Sequence, residues 1–488
     1  METPIPIEPS RLAELRRNAG ERLASDGFTE EELKTFLQVA EVPIPSPGRL
    51  PLWMARTAGE TPLSSWVRLF ILGQSVPVDT VARWLGPSGV DAWIDAGLLS
   101  ADGASLTARV YLRCFQGLLI AAGFPPESGR DCSAEHVLGI TPSSRHLINF
   151  VIPPDGGKLL DLGTGTGILA LLGSRTAEYA VGVDLNPHAI WAAELNRGLN
   201  GAENVDFREG DCYAPVAGET FDRIVANPPF VISPETQFVY RDGGAAGDEF
   251  CARLIRQAPA YLREGGYCQL LCNWAHLAGE EWQQRVSRWF TGSGCDVLVY
   301  RAQTTPADEY AIAWLQVHPD DTPEAHDERF QSWMAYYRQH SIEAISLGLI
   351  AFRRVAGSPG RVRFVEGPVR MNGPSGTQIR NGLDALPFLD LSDEQLLTCP
   401  LRLDPGVRVR RLSQPAPGGW GTRMAWVEWP QGLLHQEIIP EELALALSSG
   451  DGQRALGSLA PIVNHPESLS SIRRLLERGF FRGSGQVV

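Results

Sequence analysis

The chain has 488 residues, of which 43% are hydrophobic and 20% are charged, and its formal net charge is −14. This length is typical of about three globular domains. The acidic balance argues against a general nucleic-acid coat protein, because such proteins usually carry net positive charge.

The chain lacks the segments typical of membrane or secreted proteins. Its start has no apolar core of the kind found in secretory signals, and no run approaches the roughly 18 apolar residues of a membrane helix. The eight cysteines form no Cys-x-x-Cys pair, so we expect no metal site, and Cys268 and Cys272 are expected to be buried structural thiols. We therefore expect a cytoplasmic protein with no membrane or metal partner.

The N-terminal region, residues 1–130, predicts a helical, winged-helix-like domain. Two amphipathic helices are expected within residues 8–40, ahead of a proline-rich break. The runs VPVDTVARWLG and GVDAWIDAGLL have the rhythm of a helix-turn-helix, and SADG with SLTARVYLRCF predicts a two-stranded wing. The second helix contains no Arg or Lys, so a packing or docking role fits better than DNA reading.

Residues 131–356 predict an α/β catalytic domain. The strand-like runs KLLDL, YAVGVD, NVDFREGD, FDRIVANPP and GGYCQLLC have helical patterns between several of them. This alternation predicts a parallel, doubly wound sheet. CDVLVYRA then reads as a strand, PADEYAIAWLQV and ERFQSWMAYYRQHS as helices, and AISLGLIAFRRV as a long final strand.

The C-terminal region, residues 360–488, predicts a small α+β domain, with a winged-helix-like fold as one form that it could take. The run SLSSIRRLLERGFF predicts an amphipathic helix. The run GVRVRRL carries Arg408, Arg410 and Arg411 on an alternating pattern. A solvated strand edge explains these arginines better than a nucleic-acid contact.

The run LLDLGTGTGILAL, residues 159–171, contains a glycine-rich turn between a strand and a helix. Glycine permits positive φ and lets a ligand approach the backbone closely. The third glycine comes one position earlier than in the dinucleotide motif G-x-G-x-x-G. The preceding Asp161 suits an ammonium group and opposes a pyrophosphate. The candidate binding residues of this turn are Asp161, Gly163, Thr164, Gly165 and Gly167.

Two further carboxylates follow at successive strand ends. Asp184 in VGVDLNP stands where a carboxylate accepts the two hydroxyls of a ribose. Asp211 in FREGD is positioned to accept from an adenine amino group. Each acid alone is typical of a turn or helix cap, but three at successive strand ends indicate one ligand. Ammonium, ribose and adenine together describe S-adenosylmethionine (SAM).

The fourth strand ends in NPPF, which predicts a site for a planar acceptor nitrogen. The Asn227 side-chain carbonyl and the Pro228 backbone carbonyl can each accept one N–H bond of such a nitrogen. The two consecutive prolines stiffen the backbone, and Phe230 can stack on the acceptor. The alternative is a plain strand end with a structural asparagine.

The motifs DLGTGTG, VGVDLNP, REGD and NPPF resemble those of class I SAM-dependent methyltransferases. Within that class the chain is similar to the methyltransferase small domain group and to the HemK-like glutamine methyltransferases. The resemblance implies a Rossmann-like, seven-stranded core and SAM contacts at Asp161, Gly163, Asp184, Asp211 and Asn227. It also implies that HVLGITPSS borders the methionine end of the cofactor, with Thr141 and Ser143 as candidates.

The acceptor stays open at this stage. HemK-like enzymes usually have tyrosine after NPP, whereas Phe230 is more like ribosomal-RNA guanine methyltransferases. Net acidity favours a protein glutamine side chain as the acceptor, while Phe230 and the expected winged modules favour a nucleobase amine in RNA. A small-molecule acceptor, a non-catalytic SAM-binding scaffold and an NAD-dependent oxidoreductase are the remaining alternatives. Asp161 and NPPF disfavour the oxidoreductase.

Overall fold

The computed structural model describes residues 14–129, 135–235, 247–315, 322–357, 360–366, 371–417, 419–449 and 466–482. The chain divides into two compact units. The first comprises Met1–Thr141, Asp155–Glu219 and Thr236–Gly243, and the second comprises Pro142–Pro154, Thr220–Glu235 and Gly244–Val488. The predicted division into three domains stays a prediction.

The first unit begins with a helical region that carries small antiparallel sheets. Its elements are α1 (Glu21–Ser25), α2 (Glu30–Leu37), α3 (Leu50–Arg56), α4 (Pro62–Trp66), β1 (Val76–Pro77), α5 (Val78–Leu85), α6 (Pro87–Asp95), β2 (Leu99–Asp102), β3 (Ser105–Ala108), β4 (Tyr111–Phe115) and β5 (Leu118–Ala122). Thr29 and Thr61 cap α2 and α4 because each hydroxyl accepts a hydrogen bond from the first turn. Strands β2 and β3 form a hairpin where the wing was expected, and β4 and β5 form a second one.

The first unit continues with a parallel β-α-β-α-β segment, as the alternating pattern predicted. Its elements are β6 (Lys158–Leu162), α8 (Ile168–Gly173), β7 (Tyr179–Asp184), α9 (Pro187–Asn200) and β8 (Val205–Glu209). Strand β7 pairs in parallel with both β6 and β8. Leu195 and Leu199 of α9 share one hydrophobic core with Trp66 and Trp93 of the helical region.

The second unit contains a mixed sheet in the order β13-β11-β12-β10-β9. Its elements are α7 (Pro142–Phe150), β9 (Phe221–Ala226), α10 (Glu249–Tyr261), β10 (Leu262–Leu277), α11 (Trp282–Ser287), β11 (Cys295–Pro306), α12 (Ala307–Trp314), α13 (Pro323–Gln339), β12 (Ile342–Arg354) and β13 (Val362–Glu366). Strand β12 runs antiparallel to both β10 and β11. The expectation of a parallel sheet was therefore wrong at β12, because a buried apolar strand has the same pattern in either direction.

Strand β13 extends the sheet beyond the predicted final strand. It pairs in parallel with β11. Among the described residues, the mixed sheet of the second unit has five strands, and the parallel segment of the first unit has three. These eight strands are one more than the seven that were predicted. The sequence RVRFVEG around β13 alternates charged and apolar residues over only five positions, so it was missed as a strand.

The C-terminal part of the second unit is an α+β region, and its Asp384 contacts Arg353 of the mixed sheet. Its elements are α14 (Gly376–Leu389), α15 (Asp393–Thr398), β14 (Arg402–Leu403), β15 (Arg408–Ala416), β16 (Gly419–Glu428), β17 (Gln436–Ile439), α16 (Glu441–Ser449), α17 (Pro466–Glu477) and β18 (Phe481–Arg482). Strands β15, β16 and β17 form an antiparallel sheet. Arg408, Arg410 and Arg411 lie exposed on β15, and Arg410 pairs with Glu428 at 2.6 Å.

Among the described residues, no helix is long and apolar enough to span a bilayer. The same residues contain no group of three or more His, Cys, Asp or Glu side chains that could hold a metal ion. Cys268 and Cys272 are buried free thiols, and burial raises the pKa of both well above the ordinary value.

Candidate active site

The glycine turn after β6 is built on three left-handed glycines. Gly163, Gly165 and Gly167 have φ values of 67°, 54° and 78°, which L side chains rarely adopt. No atom lies within 4 Å of where a Cβ of Gly165 would stand, so the space beside this residue is open. At Gly167, by contrast, a Cβ would lie 2.7 Å from the Phe207 ring. The turn therefore packs tightly at its end and leaves room at its middle.

Asp161 holds this turn from within the protein. Its Oδ2 accepts hydrogen bonds from Thr164 Oγ1 at 2.6 Å and from the Ala170 backbone N–H at 3.2 Å. The side chain is fully buried, and its Oδ1 has no partner among the described residues. Burial raises the pKa of Asp161 to about 7, although the two hydrogen bonds oppose that rise. Asp161 and Thr164 thus organise the turn, and their contact with a cofactor stays a prediction.

Asp184 lies at the end of β7 with both oxygens directed by backbone groups. Its Oδ2 accepts from the Gly165 N–H at 2.8 Å, and its Oδ1 accepts from the Asn186 N–H at 2.9 Å. Each carboxylate oxygen keeps further acceptor capacity, so the pair can still receive two hydroxyl groups. Burial raises the pKa of Asp184, and the backbone hydrogen bonds limit the rise.

Asp211 follows β8 and is exposed. The Gly210 N–H donates to the Asp184 carbonyl oxygen at 2.9 Å, which joins the ends of β7 and β8. Cys212 beside it has φ 50°, a conformation that is uncommon for a residue other than glycine. The carboxyl ends of these parallel strands meet at one edge, where ligands bind in open α/β sheets. The structure therefore brings the turn, Asp184 and Asp211 to the same edge.

Two asparagines of α9, which the sequence analysis missed, connect hairpin strand β5 to this region. The Asn196 amide accepts from the Ala121 N–H at 2.6 Å and donates to the Ala121 carbonyl at 2.9 Å. One turn later, Asn200 makes the same pair of bonds with Leu119 at 2.9 and 2.7 Å. Asn196 also donates to the carbonyl of Thr166, within the glycine turn, at 2.9 Å. Asn196 therefore binds the hairpin and the turn at once.

In the second unit, Asn227 follows β9 directly and is half-buried. Its Nδ2 donates to Ser144 Oγ at 3.4 Å, while its buried Oδ1 has no hydrogen-bond partner within the described part of the chain. A buried acceptor left in this state costs about 1–3 kcal/mol. The next residue, Pro228, is buried and has a fixed φ. The amide is thus held by its donor end and keeps its acceptor end open.

Phe230 lies in an aromatic group that the sequence did not predict. Its ring packs edge-on against Trp314 of α12, with centroids 6.4 Å apart and an interplanar angle of 81°. Trp314 lies 6.1 Å from the ring of Tyr310. The Tyr310 hydroxyl accepts from Asn273 Nδ2 at 2.6 Å and from the Ile232 N–H at 3.4 Å. These contacts fix the segment that follows NPPF.

The segment HVLGITPSS contributes one hydrogen-bond contact to Asn227. Helix α7 begins at Pro142, and the residue that reaches Asn227 is Ser144, the neighbour of the predicted Ser143. Successive helical residues point about 100° apart, so the sequence could not decide between the two serines. Direct roles for Thr141 and Ser143 stay predictions.

Two family models match the chain. "Methyltransferase small domain" matches residues 139–286, and "Domain of unknown function (DUF7059)" matches residues 49–109. The first match covers the glycine turn, Asp184, Asp211 and Asn227. The second covers helices α5 and α6 and the hairpin of β2 and β3.

Curated relatives match the same part of the chain. "Putative protein N5-glutamine methyltransferase MJ0928" of Methanocaldococcus jannaschii is 37% identical over 143 residues, which are 28% of this chain and 70% of that protein. The "Release factor glutamine methyltransferase" of Xylella fastidiosa is 33% identical over 129 residues, covering 24% of this chain and 47% of that protein. The "Release factor glutamine methyltransferase" of Rhodospirillum rubrum is 38% identical over 125 residues, which are 23% of this chain and 38% of that protein.

The chain thus spans less than half the length of these two release factor enzymes but more than two thirds of the archaeal relative. The predicted motifs lie within the matched region. The chain belongs to the class I SAM-dependent methyltransferases, in the group of the methyltransferase small domain and HemK-like enzymes.

Proposed function

We propose that this protein transfers a methyl group from SAM to the side-chain amide nitrogen of a glutamine in a cytoplasmic protein. The observation that carries the proposal is the Asn227 amide, whose buried Oδ1 has no partner among the described residues. A substrate N–H would satisfy this oxygen. Relatives that are named as glutamine methyltransferases support a protein amide as the acceptor.

The cofactor fits the polar atoms of the first unit. Asp184 keeps acceptor capacity on both oxygens for a pair of ribose hydroxyls. The open space beside Gly165 lets a ligand approach the backbone, and the exposed Asp211 can accept from an adenine amino group. When bound, SAM supplies an activated methyl group, so the protein has to position and desolvate the reactants.

The acceptor residues orient a primary amide. Asn227 Oδ1 and the Pro228 carbonyl oxygen each accept one N–H of the glutamine side chain, which fixes the plane of its nitrogen. The ring of Pro228 fixes its φ and the following Pro229 restricts its ψ, so the Pro228 carbonyl oxygen has little freedom to move. Phe230, braced by Trp314, covers one face of the amide. These residues hold the nitrogen protons while the nitrogen is methylated, after which one proton leaves to solvent.

The same aromatic pair supports a second candidate acceptor, an exocyclic amine of an RNA base. A nucleobase presents a flat face that stacks on aromatic side chains, and Phe230 with Trp314 offers such a surface. Asn227 would accept the N–H bonds of the base amine in the same way. The two acceptors differ in the macromolecule that becomes labelled.

The acceptor class is tested by methyl transfer from tritiated SAM into a cell lysate, followed by separate digestion with protease and nuclease. Protease-labile label that is recovered as N5-methylglutamine is the expected result. Label released by nuclease alone would replace glutamine with a nucleobase.

The role of Asn227 is tested by Asn227→Ala. Removing an acceptor that orients the reacting group lowers the transfer rate by about 100-fold or more, while the affinity for SAM in calorimetry stays unchanged. Asn372→Ala, at an exposed asparagine of the same unit, is the matched control and keeps full activity. A transfer rate unaffected by Asn227→Ala would contradict the proposed role.

A further inference from the structure

A group of arginines lies on the sheet of the second unit, and one of them, Arg223, belongs to β9, the strand that ends directly before Asn227. Arg223 of β9 pairs in register with Tyr267 of β10, which pairs with Arg353 of β12. Residues opposite each other on neighbouring strands share one face of the sheet. The guanidinium carbons of Arg223 and Arg353 lie 4.6 and 5.4 Å from the centre of the Tyr267 ring. One aromatic ring therefore contacts two cations.

Helix α14 adds a third arginine to this group. Arg380 and Asp384 lie one helical turn apart on α14. Asp384 accepts from Arg353 Nη1 at 2.7 Å. Burial raises the pKa of Asp384, and the nearby charges of Arg353 and Arg380 oppose that rise. Arg380 also adds to the effect of burial in lowering the pKa of Arg223. We call Arg223, Arg353 and Arg380 the arginine cluster.

The arginine cluster carries more positive charge than its surroundings balance. Asp384 is the carboxylate that pairs with it, and the nearby Asp222 pairs with Arg263 at 3.1 Å. Arg223 donates to the backbone carbonyl of Asp222 at 2.8 Å. Arg380 makes no hydrogen bond or ion pair within the described ranges. With the Asp222–Arg263 pair counted as balanced, Asp384 is the one carboxylate among the described residues that is left for three guanidinium groups, which leaves an excess of two positive charges there.

Burial makes this excess costly. All three side chains are half-buried, and the Nε atom of each is buried with no acceptor among the described residues. Burial lowers the pKa of Arg223, and Arg380 and Arg353 lower it further. Arginine nevertheless stays charged in proteins, so the repulsion persists until an anion offsets it.

We propose that the arginine cluster is a binding site for a phosphate group, either inorganic phosphate or the phosphoryl group of a small phosphate ester. A phosphate dianion matches the excess of two charges. Its several oxygens can accept from the terminal amino groups of guanidiniums that come from two strands and a helix. Arg223 lies four residues before Asn227 on extended backbone, about 13 Å away along the strand. The phosphate site is therefore distinct from the proposed acceptor residues.

The proposal is tested on the full chain by titration calorimetry and thermal unfolding at constant ionic strength. Inorganic phosphate, glycerol 2-phosphate and acetate are each added against a chloride background. We expect saturable binding of at least one of the two phosphate species and a higher Tm in its presence, with no such effect of acetate. Binding of glycerol 2-phosphate identifies an ester site, and binding of inorganic phosphate alone identifies a site for the free ion.

Two variants, which should change phosphate affinity and Tm in opposite directions, test whether phosphate binds at the arginine cluster. Arg380→Gln weakens phosphate binding by at least about tenfold and raises the Tm measured in chloride, because it relieves repulsion. Asp384→Asn tightens phosphate binding and lowers the Tm in chloride, because it adds to the unbalanced charge. Arg423→Gln, at an exposed arginine of β16, is the control and leaves both quantities unchanged.

Absence of phosphate binding would overturn the proposal. A phosphate response that Arg380→Gln and Arg423→Gln alter equally would overturn it as well, since the response would then reflect general surface charge. Asp384→Asn keeps the test informative if Arg380→Gln fails to fold.

Discussion

The residues proposed to hold the cofactor and those proposed to hold the acceptor differ in how far their polar atoms are already satisfied. Asp184 receives backbone hydrogen bonds on both oxygens, whereas Asn227 Oδ1 receives none from the described residues. The cofactor residues are therefore fixed by their own backbone before a ligand arrives. The Asn227 side-chain oxygen instead keeps its acceptor capacity, which a substrate N–H can use. The proposed cofactor residues and the proposed acceptor residue thus differ in how their polar atoms are satisfied.

The largest expected effect is on SAM affinity, and it comes from Asp184→Ala. The change removes two acceptor oxygens and leaves the N–H groups of Gly165 and Asn186 without their carboxylate. Hydrogen bonds to a charged group contribute about 1.5–3 kcal/mol each, so the loss of two ribose contacts should lower SAM affinity by at least about 100-fold, as measured by titration calorimetry. Asn227→Ala should leave SAM affinity intact. Equal losses of SAM affinity in Asp184→Ala and Asn227→Ala would contradict the distinction between the cofactor residues and the acceptor residue.

A smaller effect on SAM binding should distinguish a substitution at Asn196 from one at Asn200. Each side chain holds strand β5 through two hydrogen bonds, so replacing either with alanine should lower the free energy of unfolding by about 2 kcal/mol. Only Asn196 also holds Thr166 in the glycine turn. Asn196→Ala alone should therefore weaken SAM binding, by about tenfold for one lost contact. If Asn200→Ala weakens SAM binding as much, the hairpin and not the turn is responsible.

The effect that is smallest per pH unit is the pH dependence of the free energy of unfolding through Asp161. Burial raises its pKa in the folded state to about 7, well above the unfolded value of about 3.9. Between these values the folded protein binds the extra proton, so its contribution to stability is full at low pH and falls as pH rises towards 7. The slope is at most about 1.4 kcal/mol per pH unit. Asp161→Asn should flatten this slope in denaturant unfolding measured from pH 5 to 7, and an unchanged slope would contradict the assignment.

The sequence predicted the elements around the cofactor residues because their signals are local. A strand end, a glycine and an acid lie within a few positions of each other in LLDLGTG, and the structure brings Asp184 and Gly165 into contact. The contacts that the sequence missed join distant positions. Ser144 and Asn227 are 83 positions apart, and Asn196 and Ala121 are 75 apart. Only tertiary packing determines such pairs.

The sequence pattern also could not predict the direction of strand β12. The run AISLGLIAFRRV predicted β12 correctly as a strand, but its apolar pattern is the same whichever way it runs. The partners Tyr267 and Arg353 became neighbours because β12 runs antiparallel to β10. The arginine cluster depends on that register, so no motif in the sequence could have revealed it.

The side-chain amides of Asn196 and Asn200 bond to the backbone of β5 as a neighbouring strand would. A helix side chain that offers one donor and one acceptor can replace the backbone of a missing strand, and the spacing of one helical turn repeats that offer along the hairpin. Shortening the protein to its methyltransferase segment would strip both amides of their partners inside an apolar core. A truncated enzyme that begins after residue 130 should therefore be poorly soluble, and the N-terminal region is better regarded as part of the enzyme than as a removable attachment.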